Sequence, residues 1–139
     1  MAFEEKSAWV YAAIAITLPV IYFALVLGQL PQVAAGDIEY QVPLVAFVVG
    51  AIALTIAAHI VLAVAAPEDA GKRDQRDKDI YRYGEYVGGL VTGVAMVVPF
   101  ILALAEVEQF WIANTIYLAF VLGAASGSIA KIVAYRRGF

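Results

Sequence analysis

Four stretches of the chain stay apolar for longer than a helix or strand of a soluble domain requires. They cover about residues 8–30, 43–66, 83–105 and 110–135, beginning with "AWVYAAIAITLPVIYFALVLG" at Ala8. A bilayer crossing needs about 20 consecutive apolar residues, and each stretch supplies them. None alternates apolar and polar residues at the two-residue period of a barrel strand. In hydrocarbon, only a helix or a closed barrel satisfies its own backbone hydrogen bonds. The pattern therefore predicts an all-α membrane protein. One domain, residues 1–139, forms a four-transmembrane-helix bundle. Three polar connections, 31–42, 67–82 and 106–109, join the spans.

Composition strengthens this reading. The 139 residues are 63% hydrophobic and only 15% charged, where soluble domains carry about 25% charged residues. The mean hydropathy is +0.83. There is no Cys and one His. That removes disulfides, thiolate metal sites, cysteine nucleophiles and any multi-His site within one chain. No cofactor is expected.

Charge placement predicts orientation. Lys6 precedes the first span. Lys72, Arg73, Arg76, Lys78 and Arg82 lie between the second and third, and Lys131, Arg136 and Arg137 end the fourth. These are all nine basic residues. The other two connections hold only Asp37, Glu39, Glu106 and Glu108 as charges. Basic loops stay cytoplasmic, so both termini and the 67–82 connection are expected inside a plasma (inner) membrane. Trp9, Tyr11, Tyr81, Tyr83, Tyr86 and Tyr135 then fall at the inner interface, and Tyr40, Phe110 and Trp111 at the outer. A cleaved signal peptide is the competing reading of the first span. Its apolar run is longer than a signal's 7–15 residues, which favours a retained helix.

The segment 66–89, "APEDAGKRDQRDKDIYRYGEYVGG", carries eleven of the twenty-one formal charges. Pro67 ends the second span, because proline cannot continue the hydrogen-bond ladder. Gly71 permits a sharp turn. Asp74 is placed to cap a new helix, with Asp77 completing a box-like arrangement. Asp74–Lys78 and Asp79–Arg82 have the spacing of intrahelical ion pairs. The expectation is one helix over 74–105, whose first turns extend into the cytoplasm. The plain reading of the charges is a solvated helix start that also enforces topology. The sharper one is a docking surface for a cytoplasmic protein partner, formed by Asp74, Arg76, Asp77, Asp79 and Arg82. Six acids among five bases make a poor anionic-lipid switch, which needs clustered bases.

The segments "DQRDKDIYRYGEYVGG", "FWIANTIYLAFVLGA" and "VAYRRGF", with "EEKSAWVY" near the start, resemble an actinobacterial group of uncharacterised four-span membrane proteins. That group typically carries Asp-Glu-Arg-Asp-x-Asp/Glu-Ile before its third span. Asp74, Arg76, Asp77, Asp79 and Ile80 fit it, while Gln75 stands in place of Glu. The resemblance implies the same bacterial four-span fold. It also implies a pairing with a small helix-turn-helix regulator, since such genes often neighbour one another. It implies no activity.

His59 is the one ionisable residue well inside a span, with Thr55 on its face. A lone intramembrane His is either a packed hydrogen-bonding residue or a proton-relay site. In the second case Glu85 would be its partner, making His59, Glu85 and Thr55 a candidate polar site. No span has a central carboxylate, which argues against a proton-coupled exporter of the small four-span kind. The four acids of the outer connections show no metal-ligand spacing, so no metal is expected. Small residues recur at helical spacing: Gly84–Gly88 and Gly89–Gly93, the run Ala119, Gly123, Ser126, Gly127, Ala130 and Ala134, and Ala46, Gly50, Ala53 and Ala57. Such stripes let helix backbones approach closely. They pack one bundle or, at one stripe, a homodimer. Pro19 and Pro99 are expected to kink their helices.

No Walker, nucleophile-elbow, zinc-protease or dinucleotide motif is present. No net basic face offers a nucleic-acid surface. The leading expectation is a non-enzymatic regulatory or partner-binding protein of the inner membrane. The alternative is a small transporter or channel using a cavity near His59.

Overall fold

A computed structural model describes residues 2–138 and contains, among them, only helices and turns. The helices are α1 (Phe3–Leu27), α2 (Gln41–Ala65), α3 (Gln75–Ala95), α4 (Val97–Leu104) and α5 (Gln109–Arg137). A single 3-10 turn, Ala35–Asp37, interrupts the first connection. Four helical segments, Phe3–Leu27, Gln41–Ala65, Gln75–Leu104 and Gln109–Arg137, are long and apolar enough to cross a membrane. This fits a multi-pass membrane protein.

The helices begin earlier than the apolar runs. α1 starts at Phe3 rather than Ala8, because "FEEKS" continues the helix into its polar flank. Glu4 and Glu5 sit in its first turn, where carboxylates complement the positive end of the helix dipole. α3 starts as expected at an Asp74 cap. The Asp74 side chain accepts from the Asp77 N–H at 2.7 Å, and Asp77 accepts from the Asp74 N–H at 3.2 Å. Gly71 takes a positive φ of 81°, which makes the preceding turn. The expected single helix over 74–105 is interrupted at Met96. Pro99 lies three residues further on and has no N–H to bond Ala95. α1, by contrast, runs through Pro19 without a break.

The α4–α5 turn ends α4 with paired backbone bonds. Val107 N–H reaches Leu102 O at 3.1 Å, and Glu106 N–H reaches Ala103 O at 3.1 Å. This is the Schellman arrangement. Its left-handed position is filled by Glu106, at φ 53°, where glycine is usual.

α5 is the central element. It packs against α1 on one side and against α3 and α4 on the other. The α3–α5 contact is built on glycine. A Cβ added at Gly88 would lie 2.8 Å from the Gly123 carbonyl oxygen, and one at Gly127 would lie 2.8 Å from that of Gly84. Added carbons at Gly84 and Gly123 would collide with Lys131 and Thr92 respectively. So Gly84, Gly88, Gly123 and Gly127 set the separation of these two helices. Ala8, Ala12 and Ile132 make the corresponding α1–α5 cluster.

α2 is different. It packs chiefly on α1, and none of its residues is buried. Its small residues Ala46, Gly50, Ala53 and Ala57 are all exposed. The row runs α2, α1, α5, then α3 with α4.

The two ends of the helices are held differently. At the acidic end, Tyr22, Val26, Ile38, Tyr40 and Phe110 form the main buried cluster. Tyr40 and Phe110, expected at a headgroup interface, are 5% and 2% exposed and stack edge-to-face on each other. The connection 31–42 thus folds back over the helix ends. Beneath it, the Tyr22 hydroxyl donates to Asn114 Oδ1 at 2.6 Å, and Asn114 donates to Phe110 O at 2.8 Å.

At the basic end the charges pair between elements. Arg73 binds Glu4 at 2.9 Å, Arg136 binds Glu5 at 2.7 Å, and Lys131 binds Glu85 at 2.7 Å. The expected pairs Asp74–Lys78 and Asp79–Arg82 do not form among the described residues; Asp74 is occupied as a cap instead, and Asp79 accepts from Gln75 Nε2. Glu4 and Glu5 are only 15% and 12% exposed, but Arg73 and Arg136 are about half exposed. Each such pair contributes at most about 1 kcal/mol after screening. The bond to Glu4, then its charge, holds the Arg73 guanidinium above its ordinary value, against the opposing effect of partial burial.

Candidate functional site

The α2–α1–α5–α3 order leaves a cleft. Its floor is α1 and α5, and its walls are α2 and α3. Its volume is about 800 Å³, within the range of about 300–1,000 Å³ usual for small-molecule sites. It opens sideways between the two walls rather than closing on itself. Ile52, Thr55 and Ile56 line it from α2, and Gly88, Gly89 and Thr92 from α3. Ile14, Ala15, Phe120 and Ala124 contribute to the floor.

The geometry follows from the residue types along α3. Gly84 and Gly88 are spent on the close crossing with α5. Gly89 and Gly93 lie beside them, and a Cβ added at either would meet no other part of the described structure within 4 Å. Gly89 therefore widens the cleft instead of packing a neighbour. Thr92 lines the cleft, but its hydroxyl donates to Gly88 O at 2.9 Å, so the wall presents little free polarity.

Polar groups gather at the basic end of the cleft. Lys131, Glu85, Tyr81 and Tyr11 all line it. Lys131 Nζ lies 2.7 Å from Glu85 and 4.3 Å from the centre of the Tyr81 ring. Arg73 lies 5.3 Å from the same ring. Tyr81 thus carries two cations. The Lys131 side chain is 16% exposed and that of Glu85 59%.

The residues read from the sequence as one polar site are separated here. Thr55 and Glu85 face the same cleft from opposite walls. His59 does not line it. Glu85 pairs with Lys131 rather than His59. The His59 Nδ1 shares a 3.1 Å hydrogen bond with the Tyr11 hydroxyl, and Phe3 stands edge-on to its ring at 5.8 Å. His59 thus ties α2 to α1.

The residues read as a docking surface are partly engaged. Asp74 and Asp77 form the cap, and Asp77 also accepts from the Tyr135 hydroxyl at 2.8 Å. Arg76 reaches Tyr135 O at 3.5 Å. Asp79 holds Gln75, while Arg82 is exposed. Among the described residues no three His, Cys, Asp or Glu side chains gather as a metal site.

Lys131 was not singled out in the sequence beyond its charge. Its signal was available: it follows Gly127 by one helical turn on the stripe that faces Gly84. No protein-family model, no curated protein and no solved structure matches the chain.

Proposed function

We propose that this chain is a non-enzymatic, multi-pass protein of the plasma membrane that works by binding, and that its binding site is the cleft between α2 and α3. Both termini and the 66–74 connection are cytoplasmic in this reading, on the strength of the Lys/Arg distribution. The observation that carries it is the 800 Å³ cleft opening sideways, towards where lipid would lie. A guest enters such a site from the bilayer, not from water.

Two features favour binding over transport. His59, the residue on which a proton-coupled path would depend, is outside the cleft lining and occupied with Tyr11. Charge in the cleft is confined to one end, and beyond it the lining offers an ion only the hydroxyls of Thr55, Thr92 and Tyr117. The exposed ridge around Lys78 and Arg82 is the face a cytoplasmic regulator of the kind implied by the actinobacterial resemblance would meet.

Photo-crosslinking tests the binding reading. A benzophenone amino acid at Gly89, inside the cleft, should trap a discrete guest in native membranes. The same group at Val97, exposed on the neighbouring helix, should give only diffuse lipid labelling. Identical diffuse labelling at both positions would remove the cleft as a binding site.

A further inference from the structure

We infer that the guest of the cleft is a membrane phospholipid with a zwitterionic phosphate–ammonium headgroup, seated with its head on the Lys131–Glu85 pair. This rests on the binding reading above and adds the chemistry of the guest. Three observations carry it.

The first is the distribution of polarity. The cleft lining from Ile52 and Phe120 to Gly88 is mostly apolar, interrupted only by the uncharged Thr55 and Thr92, and charge appears only at the Lys131 end. That is the profile of an amphiphile: one polar head, one long apolar body. The second is length. Along α5 the lining extends from Tyr117 to Lys131, roughly 20 Å at 1.5 Å per residue. A hydrocarbon leaflet is half of about 30 Å, so this length accommodates one leaflet's chains plus a headgroup.

The third is charge complementarity. The head end carries one cation and one anion in contact, Lys131 Nζ and Glu85 Oε1 at 2.7 Å. The nearby Arg73 is likewise matched, by Glu4 at 2.9 Å. A head carrying only negative charge would gain Lys131 and be repelled by Glu85. A head with both charges can exchange the pair: its phosphate accepts from Lys131, and its ammonium donates to Glu85. The more exposed Glu85 is free to swing towards the ammonium, while Lys131 stays against Tyr81. No ion is left unpaired by this exchange, which is the condition for placing charges near hydrocarbon.

The experiment uses the full chain, purified and equilibrated with vesicles of equal phosphatidylethanolamine and phosphatidylglycerol, then released for native mass spectrometry. The parent should retain one phospholipid, with about fivefold preference for phosphatidylethanolamine, the discrimination of one partly exposed ion pair. Glu85→Gln should retain lipid but lose the preference. Gly89→Trp fills the cleft at a position with nothing within 4 Å, so it should fold and retain no lipid. Gel filtration of each variant establishes that it is folded. Equal retention of the two lipids by the parent, or a preference that survives in Glu85→Gln, overturns the headgroup assignment. If Gly89→Trp nevertheless strips the lipid, the cleft remains the site and only the headgroup assignment falls. Retention by Gly89→Trp equal to the parent's overturns both.

Discussion

Gly88 and Gly89 are adjacent on one helix, and the same substitution should move stability in opposite directions. At either position Ala replaces Gly in a helix interior, which favours the folded state by up to about 1 kcal/mol through backbone entropy. At Gly89 nothing lies within 4 Å of the new carbon, so that gain stands alone. At Gly88 the carbon would sit 2.8 Å from Gly123 O and 3.5 Å from Gly127 Cα. Both are backbone atoms, so no side chain can rotate away. α3 and α5 must separate by several tenths of an ångström along their whole glycine crossing. Overpacking of this kind costs about 1–3 kcal/mol. The net expectation is a gain of about 0.5–1 kcal/mol for Gly89→Ala and a loss of about 1–2 kcal/mol for Gly88→Ala. Equilibrium unfolding in mild detergent, titrated with a denaturing detergent, reads both. Equal stabilities of the two variants would refute the claim that the Gly84–Gly88 and Gly123–Gly127 faces set the helix separation.

Tyr22→Phe removes the donor to buried Asn114 and should lose about 0.5–1.5 kcal/mol, whereas Tyr117→Phe should lose less; equal losses in the same unfolding assay would contradict the Tyr22–Asn114 bond. Glu106→Gly relieves a side chain held at φ 53° and should stabilise by about 0.5–1 kcal/mol; a loss of stability would mean that the turn takes another conformation. Because the chain has no native cysteine, single-cysteine labelling of intact cells reads topology directly. Asp37→Cys should react with an impermeant maleimide and Gln75→Cys should not, and the reverse result would invert the orientation.

The spans, the Asp74–Asp77 cap and the narrow faces at Gly84–Gly88 and Gly123–Gly127 were legible in the sequence because each rests on local spacing, although which face meets which was not. Helix period, cap residues and small-residue repeats are visible within a turn or two of chain. What was not legible depends on contacts between distant segments. The acids at Glu4 and Glu5 gave no sign that they meet Arg73 and Arg136. Asp79 and Arg82 have the spacing of an intrahelical pair but do not form one. His59 and Glu85 looked like partners by depth alone, yet each finds a nearer one on the helix beside it. Asp77 carries a second role, the bond to Tyr135, that spacing within one helix cannot reveal. The α2 stripe shows the limit most clearly. Ala46, Gly50, Ala53 and Ala57 have the same pattern as the α5 stripe and are all exposed, and a Cβ added at Gly50 would meet nothing within 4 Å among the described residues. Periodicity says that a face is narrow, and the order of the helices decides what meets it. The cleft is a product of that order.

Disulfide trapping of paired cysteines in native membranes tests the cleft most directly. A disulfide requires Cα atoms within about 7 Å. Ala8→Cys with Ile132→Cys joins two residues of the α1–α5 cluster and should oxidise readily. Thr55→Cys with Gly89→Cys stands on opposite walls of the cleft and should remain reduced. An efficient Thr55–Gly89 crosslink, at a yield matching the Ala8–Ile132 pair, would show α2 closed against α3 and would contradict a guest-binding cleft.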